Sequence, residues 1–103
     1  MKGGWVYILE CSDGSYYTGS TSLLERRMGQ HMEGVYDGYT AARRPVKLRW
    51  TQWSPDIRDA IAFERQIKGW TRRKKEALIN DDHMLLHFLS ECKNKSHCKN
   101  TLL

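Results

Sequence analysis

Apolar and aromatic residues enter the chain as a nearly unbroken run, Trp5-Val6-Tyr7-Ile8-Leu9, and return after a polar gap as Tyr16-Tyr17-Thr18. Runs of this composition on either side of Ser12-Asp13-Gly14 predict two strands joined by a tight turn. Ser22 followed by Glu25 has the form of a capping box and predicts a helix closed by Gly34. Residues Tyr36 to Pro45 have no sustained period, and their Gly and Pro mark a loop. Val46 to Trp53 then alternates, with Val46, Leu48 and Trp50 against Lys47, Arg49 and Thr51, which predicts a third strand. Ser54-Pro55 supplies an N-cap and a first helical position for a helix that runs to about Lys68 and stops at Gly69. A third helix opens at Thr71. The result is an α+β domain over residues 1–80, a small three-stranded antiparallel sheet packed by three core helices in the order β-β-α-β-α-α. Residues 81–103 form an extension: Met84, Leu85, Phe88 and Leu89 recur at helical spacing, and a polar tail follows.

The turn decides which side chains share a face. A two-residue turn at Asp13-Gly14 would set Leu9 opposite Thr18 and leave Tyr7 and Tyr17 on opposite faces. A three-residue loop with Gly14 in the left-handed conformation pairs Cys11 with Ser15 and sets Tyr17 opposite Leu9, so both phenols face the same way. The second arrangement is expected, because Gly14 suits a positive φ.

In the second helix, Glu64 lies within about 60° of Ile57, Ala60, Ile61 and Ile67 on a helical wheel. A carboxylate in an apolar stripe must be paired, protonated or bound to a cation. An ion pair with an Arg is the plain alternative, a metal ligand the functional one.

Composition narrows the partner. The 103 residues and 40% apolar content suit one compact domain, and 17 Lys plus Arg against 12 Asp plus Glu give a net charge of +5, which favours a polyanion such as nucleic acid. Cys11, Cys92 and Cys98 are too few and odd in number for a disulfide framework. His83, His87, Cys92, His97 and Cys98 match no zinc-finger spacing. No stretch reaches the length of a secretory signal or a membrane span, so a cytoplasmic protein without membrane association is expected.

The candidate chemistry sits in the first hairpin and helix. Tyr7 and Tyr17 stand on the two strands, and Arg27 and His31 lie four apart on one helix face. Two phenols, a guanidinium and an imidazole at one sheet edge can bind a phosphate and move a proton beside it, which points to phosphodiester chemistry. Positive charge elsewhere lies at Arg43 and Arg44 in the loop, at Lys68, and in the run Arg72-Arg73-Lys74-Lys75 beside Trp70. These are the candidate contacts to a nucleic-acid backbone.

In this register the chain resembles the GIY-YIG nucleases, whose two strand motifs stand here as Val6-Tyr7-Ile8 and Tyr17-Thr18-Gly19. The family's Arg falls on Arg27, its His on His31 and its metal-binding Glu on Glu64. The end of the core, Ile67 to Glu76, looks like that of the small single-domain bacterial members. Thr18 replaces the motif's middle Ile, Ser20 stands where some members carry Lys, and Glu76 falls in the region where others carry Asn. The resemblance implies an endonuclease that hydrolyses DNA, with a role in repair or recombination. It implies a divalent cation on Glu64, Mg²⁺ with Mn²⁺ as a substitute, and no small-molecule cofactor. In that scheme Arg27 neutralises phosphate charge, the tyrosines orient or activate water, and His31 relays a proton; which tyrosine is the base is left open. A monomer is expected. The alternatives are a non-catalytic nucleic-acid-binding module on the same fold and a protein-interaction module that uses the terminal helix.

Overall fold

The computed structural model describes residues 2–81, and the expected terminal helix and polar tail lie outside them. Among the described residues the order is β1 (Gly4–Glu10), β2 (Tyr16–Thr21), α1 (Leu24–Glu33), α2 (Gly38–Ala41), β3 (Lys47–Ser54), α3 (Ile57–Lys68) and α4 (Arg72–Ile79). The antiparallel sheet has the order β2-β1-β3. The chain divides between Gly69 and Trp70 into two compact units, the first holding the sheet and α1 to α3, the second α4.

β1 is the central strand, which explains its unbroken apolar run: Val6, Tyr7, Ile8 and Leu9 are all fully buried because both faces are covered. Tyr7, Leu9, Cys11 and Val46 form the core of one face, with Tyr17, Leu24 and Met28 packed against it. The other face carries α3, which contacts all three strands. There the Ile57 side chain lies over Gly4, and Phe63 meets Trp50 edge to face at 5.9 Å.

The hairpin takes the three-residue loop. Cys11 N donates to Ser15 O at 2.8 Å, Gly14 N to Cys11 O at 2.9 Å, and Gly14 has φ +85°. Leu9 is therefore paired with Tyr17 and Tyr7 with Gly19, and both phenols share a face.

Four local expectations are corrected. The capping box does not form: β2 continues to Thr21, whose hydroxyl accepts from Leu23 N at 3.1 Å. That turn makes Leu23 the N-cap, without a side-chain cap, and leaves Ser22 outside the helix. Ser54 is likewise held in the sheet, opposite Gly4. Asp56 therefore caps α3 in place of Ser54, accepting from Arg58 N at 2.9 Å. The expected loop 36–45 contains the single turn of α2, because the Asp37 carboxylate accepts from Tyr39 N at 2.7 Å. Finally, Arg49 is bulged out of β3, since Ile8 pairs with Trp50 but Leu9 with Leu48. One extra residue reverses the alternation, so Leu48 and Trp50 lie on opposite faces. The other helix signals are found where expected. Gly34 ends α1 at φ +76°, with Val35 N on Gln30 O and Gly34 N on His31 O, the Schellman pattern. Gly69 ends α3, and Thr71 caps α4 by accepting from Lys74 N.

Candidate active site

The face shared by Tyr7 and Tyr17 receives α1, and its one buried residue, His31, enters between the phenols. The imidazole stands edge-on to both rings, at 5.7 Å from Tyr7 and 5.3 Å from Tyr17. Its Nε2 is 2.9 Å from the Tyr7 hydroxyl, and its Nδ1 is 2.9 Å from the hydroxyl of Thr40. Tyr7, His31 and Thr40 are all fully buried. The Tyr17 hydroxyl donates instead to the Asp37 carboxylate at 3.2 Å. The two phenols thus meet different partners, Tyr7 the imidazole of His31 on α1 and Tyr17 the carboxylate of Asp37 at the start of α2.

Gly19 is what admits the Tyr7 ring. A Cβ at this position would fall within 2.6 Å of Tyr7 Cζ, so the second motif's glycine is a matter of space rather than of backbone angle.

Arg27, one turn before His31, donates to Ser20 O at 3.2 Å and lies 3.8 Å over the Tyr36 ring. Tyr36 in turn stands edge-on to His31 at 5.0 Å. Beside this pair is a concavity of about 310 Å³ lined by Thr21, Ser22, Arg26, Arg27, Gln30 and Tyr36. Two guanidiniums at its wall suit an anion.

Glu64 reaches the site from the opposite face through Ser20, whose hydroxyl donates to Glu64 Oε1 while its carbonyl holds Arg27. The other carboxylate oxygen pairs with Lys68 Nζ at 2.7 Å, one turn on, not with an Arg. The Glu64 side chain is 16% exposed and that of Lys68 52%, so the anchored partner is the carboxylate and the movable one the ammonium. Among the described residues no group of three or more His, Cys, Asp and Glu side chains could form a protein cage for a metal. A single carboxylate, joined to Arg27 through Ser20, fits Mg²⁺, which keeps several waters and needs one or two carboxylates, rather than a metal needing several protein ligands.

Burial sets the protonation states. It pushes the Tyr7 hydroxyl up to about 12, although the facing Arg27 guanidinium pulls it back. Tyr17 is pushed up by burial, then by the Tyr7 phenol and the Asp37 carboxylate. His31 is held below its ordinary range by burial and by Arg27, and is neutral at pH 7.

The five motif residues therefore come together, with Glu64 joined through Ser20. Sequence reasoning did not assign Ser20, Tyr36, Asp37 or Thr40 to the site. The Asp37 cap was the readable signal for the last two, obscured by a helix only four residues long. The basic residues are less free than their charges suggested. Arg43 pairs with Asp13 at 3.0 Å and covers the Tyr39 ring at 3.8 Å. Arg44 donates to Ala41 O and Met32 O. In the second unit Lys74 is buried with its ammonium 4.1 Å from the Trp70 ring centre, and Arg72 pairs with Glu76 at 3.2 Å. Lys74 is thus withdrawn from the solvent-facing basic run by packing.

Comparison with known proteins agrees with the geometry. The GIY-YIG catalytic domain family matches residues 3–77. UPF0213 protein BH0048 of Halalkalibacterium halodurans is 43% identical over 76 residues, covering 74% of this chain and 81% of that protein. UPF0213 protein VNG_2274C of Halobacterium salinarum is 45% identical over 74 residues, covering 72% and 96%. Among solved structures, the solution NMR structure of BH0048 superposes with a TM-score of 0.51 at 42% identity, over 76% of this chain and 83% of that one. That of EF2693 from E. faecalis gives 0.56 at 36% identity, over 82% and 90%. With the motif positions gathered around β1 and β2 and the family matched over residues 3–77, this chain belongs to the GIY-YIG nuclease family, alongside its small UPF0213 members.

Proposed function

We propose that the protein is a divalent-metal-dependent endonuclease that hydrolyses phosphodiester bonds in DNA, acting in the cytoplasm in repair or recombination. The observation that carries this is the hydrogen-bonded path from Tyr7 to His31 beside Arg27, with Glu64 tied in through Ser20.

Tyr7 is the better candidate base. With its hydroxyl held near 12, only about 10⁻⁵ of it is phenolate at pH 7, too little for a standing base. A relay avoids that state: Tyr7 passes its proton to His31 Nε2 as it takes one from the attacking water. Tyr17 has no imidazole to take its proton, since its hydroxyl is turned to the Asp37 carboxylate. The hydroxide then attacks phosphorus, and the bond to the leaving oxygen breaks. Since Tyr7 has no exposed surface, this requires Arg27 to turn from Tyr36 to the incoming phosphate, which opens the hydroxyl to water and neutralises the developing charge. Glu64 would hold the cation once Lys68 swings away, and the cation would supply further positive charge at the phosphate and leaving oxygen.

The test is incubation with supercoiled plasmid, branched DNA and single-stranded DNA, with Mg²⁺ or Mn²⁺ and with chelator. Cleavage of at least one substrate that stops with chelator is expected. Glu64→Ala should abolish it with an unchanged circular dichroism spectrum, and Tyr7→Phe should lose more activity than Tyr17→Phe. Binding without cleavage across the panel, or a fully active Glu64→Ala, would overturn the assignment.

A further inference from the structure

The Tyr7–His31 path works only if Nε2 of the imidazole is the nitrogen without a hydrogen, since a protonated Nε2 would aim a donor at the phenol oxygen and could accept nothing. Neither phenol nor Arg27 decides this. The partner of the other ring nitrogen does.

That partner is the hydroxyl of Thr40, fully buried and 2.9 Å from Nδ1. A hydroxyl has one hydrogen and two lone pairs. The Thr40 oxygen also lies 3.2 Å from Asp37 O, the carbonyl that receives Ala41 N at 2.8 Å as α2 closes, and this carbonyl can only accept, so it offers the Thr40 hydrogen a place away from the imidazole. With its hydrogen given to Asp37 O, the Thr40 oxygen presents a lone pair to His31, and Nδ1 brings the hydrogen. We propose that Thr40 is a positioning residue for the cleavage reaction: its hydroxyl fixes His31 as the Nδ1–H tautomer and so leaves Nε2 open to the Tyr7 proton. This rests on the nuclease reading above. In the relay Nε2 gains the proton that Tyr7 loses, while the Nδ1–H bond to Thr40 persists and bears part of the imidazolium's charge.

Two further features suit Thr40 to the task. The ring is neutral at neutral pH, so a tautomer is there to be chosen. The hydroxyl is also set by backbone, because the Asp37 carboxylate caps α2 through Tyr39 N and the turn carries Thr40 against the imidazole.

Nuclear magnetic resonance of the full chain with ¹⁵N-labelled histidine reads the tautomer directly. The His31 signals are identified among the four histidines by their disappearance in His31→Gln. The wild-type spectrum, which depends on no variant's folding, should show His31 with Nδ1 protonated and Nε2 bare. Thr40→Val, of nearly the same shape, should shift His31 toward the Nε2–H form and lower plasmid cleavage about tenfold or more, within the range for general acid–base groups. Thr40→Ser should restore both. A wild-type His31 with Nε2–H would overturn the proposal, as would a Thr40→Val protein with unchanged tautomer and rate. A wild-type protein that cleaves nothing but shows the Nδ1–H signal, absent in Thr40→Val, would overturn the nuclease reading while supporting the hold of Thr40 on His31.

Discussion

At the scale of single residues, the site depends on small side chains as much as on reactive ones. Gly19 is the clearest case, since the Tyr7 phenol occupies the space a methyl group would need. Gly19→Ala should displace the ring from His31 and reduce cleavage about 10²-fold, the usual effect of a misplacement near 1 Å, with a smaller effect on stability. Equal activity in the two proteins would show that the contact is incidental. Thr18 makes the opposite point. It stands where the family motif has Ile, and its buried hydroxyl has no hydrogen-bond partner among the described residues. Thr18→Val should stabilise the fold by about 1 kcal/mol, seen as a higher denaturant midpoint at constant slope. Buried titratable groups bracket stability with pH. Because His31 is depressed from 6.5, the unfolded chain binds more protons at acid pH, and stability should fall as pH drops below 6.5. Tyr7 is raised from 10.0 to about 12, so the unfolded chain ionises first at alkaline pH. Stability should fall by roughly 2 kcal/mol between those values from this group, and Tyr7→Phe should flatten that limb.

At the scale of elements, what could be read in advance was whatever strand period and local turn chemistry decide. The shared face of Tyr7 and Tyr17 followed from the parity of the hairpin loop, and Gly34 and Thr71 acted as helix punctuation because their signals need no distant partner. The errors occurred where a neighbouring strand competed for the same residues. Ser22 and Ser54 are good caps in isolation, but β2 and β3 run on until the sheet ends, which pushes each helix start further along the chain. The bulge at Arg49 had no sequence signal, since alternation looks perfect until the partner strand is known. For the same reason Glu64 was legible as an inward carboxylate, whereas its anchor Ser20, on a strand far away in sequence, was not. The hairpin provides an element-scale test. Gly14 has φ +85° with nothing within 4 Å of a built Cβ, so a substitution meets backbone strain and no clash. Gly14→Val should cost about 1–2 kcal/mol and Gly14→Asn clearly less. Equal destabilisation by the two would argue against a register held by this loop.

At the scale of the whole molecule, a net charge of +5 is a statement about association before it is one about catalysis. Several of the 17 basic side chains behind it are engaged internally: Arg43, Arg49, Arg58, Lys68 and Arg72 are in ion pairs, and Lys74 is buried against Trp70. Reversal of the entire run from Arg72 to Lys75 would therefore confuse two effects, because a buried Lys74 changed to Glu would unfold the turn around Trp70 before DNA binding could be judged. Arg72 and Arg73, both exposed at the start of α4, give the cleaner experiment. Removing one cation that neutralises a phosphate should lower the slope of log K against log salt by about one and weaken binding similarly for all sequences. The double variant Arg72→Glu, Arg73→Glu should thus bind DNA more weakly at low salt, approach wild type as salt rises, and have a thermal midpoint only slightly lowered by loss of the exposed Arg72–Glu76 pair. Identical affinity and slope in the two proteins would mean that α4 faces solvent only, leaving phosphate recognition to Arg26 and Arg27 at the mouth of the active site.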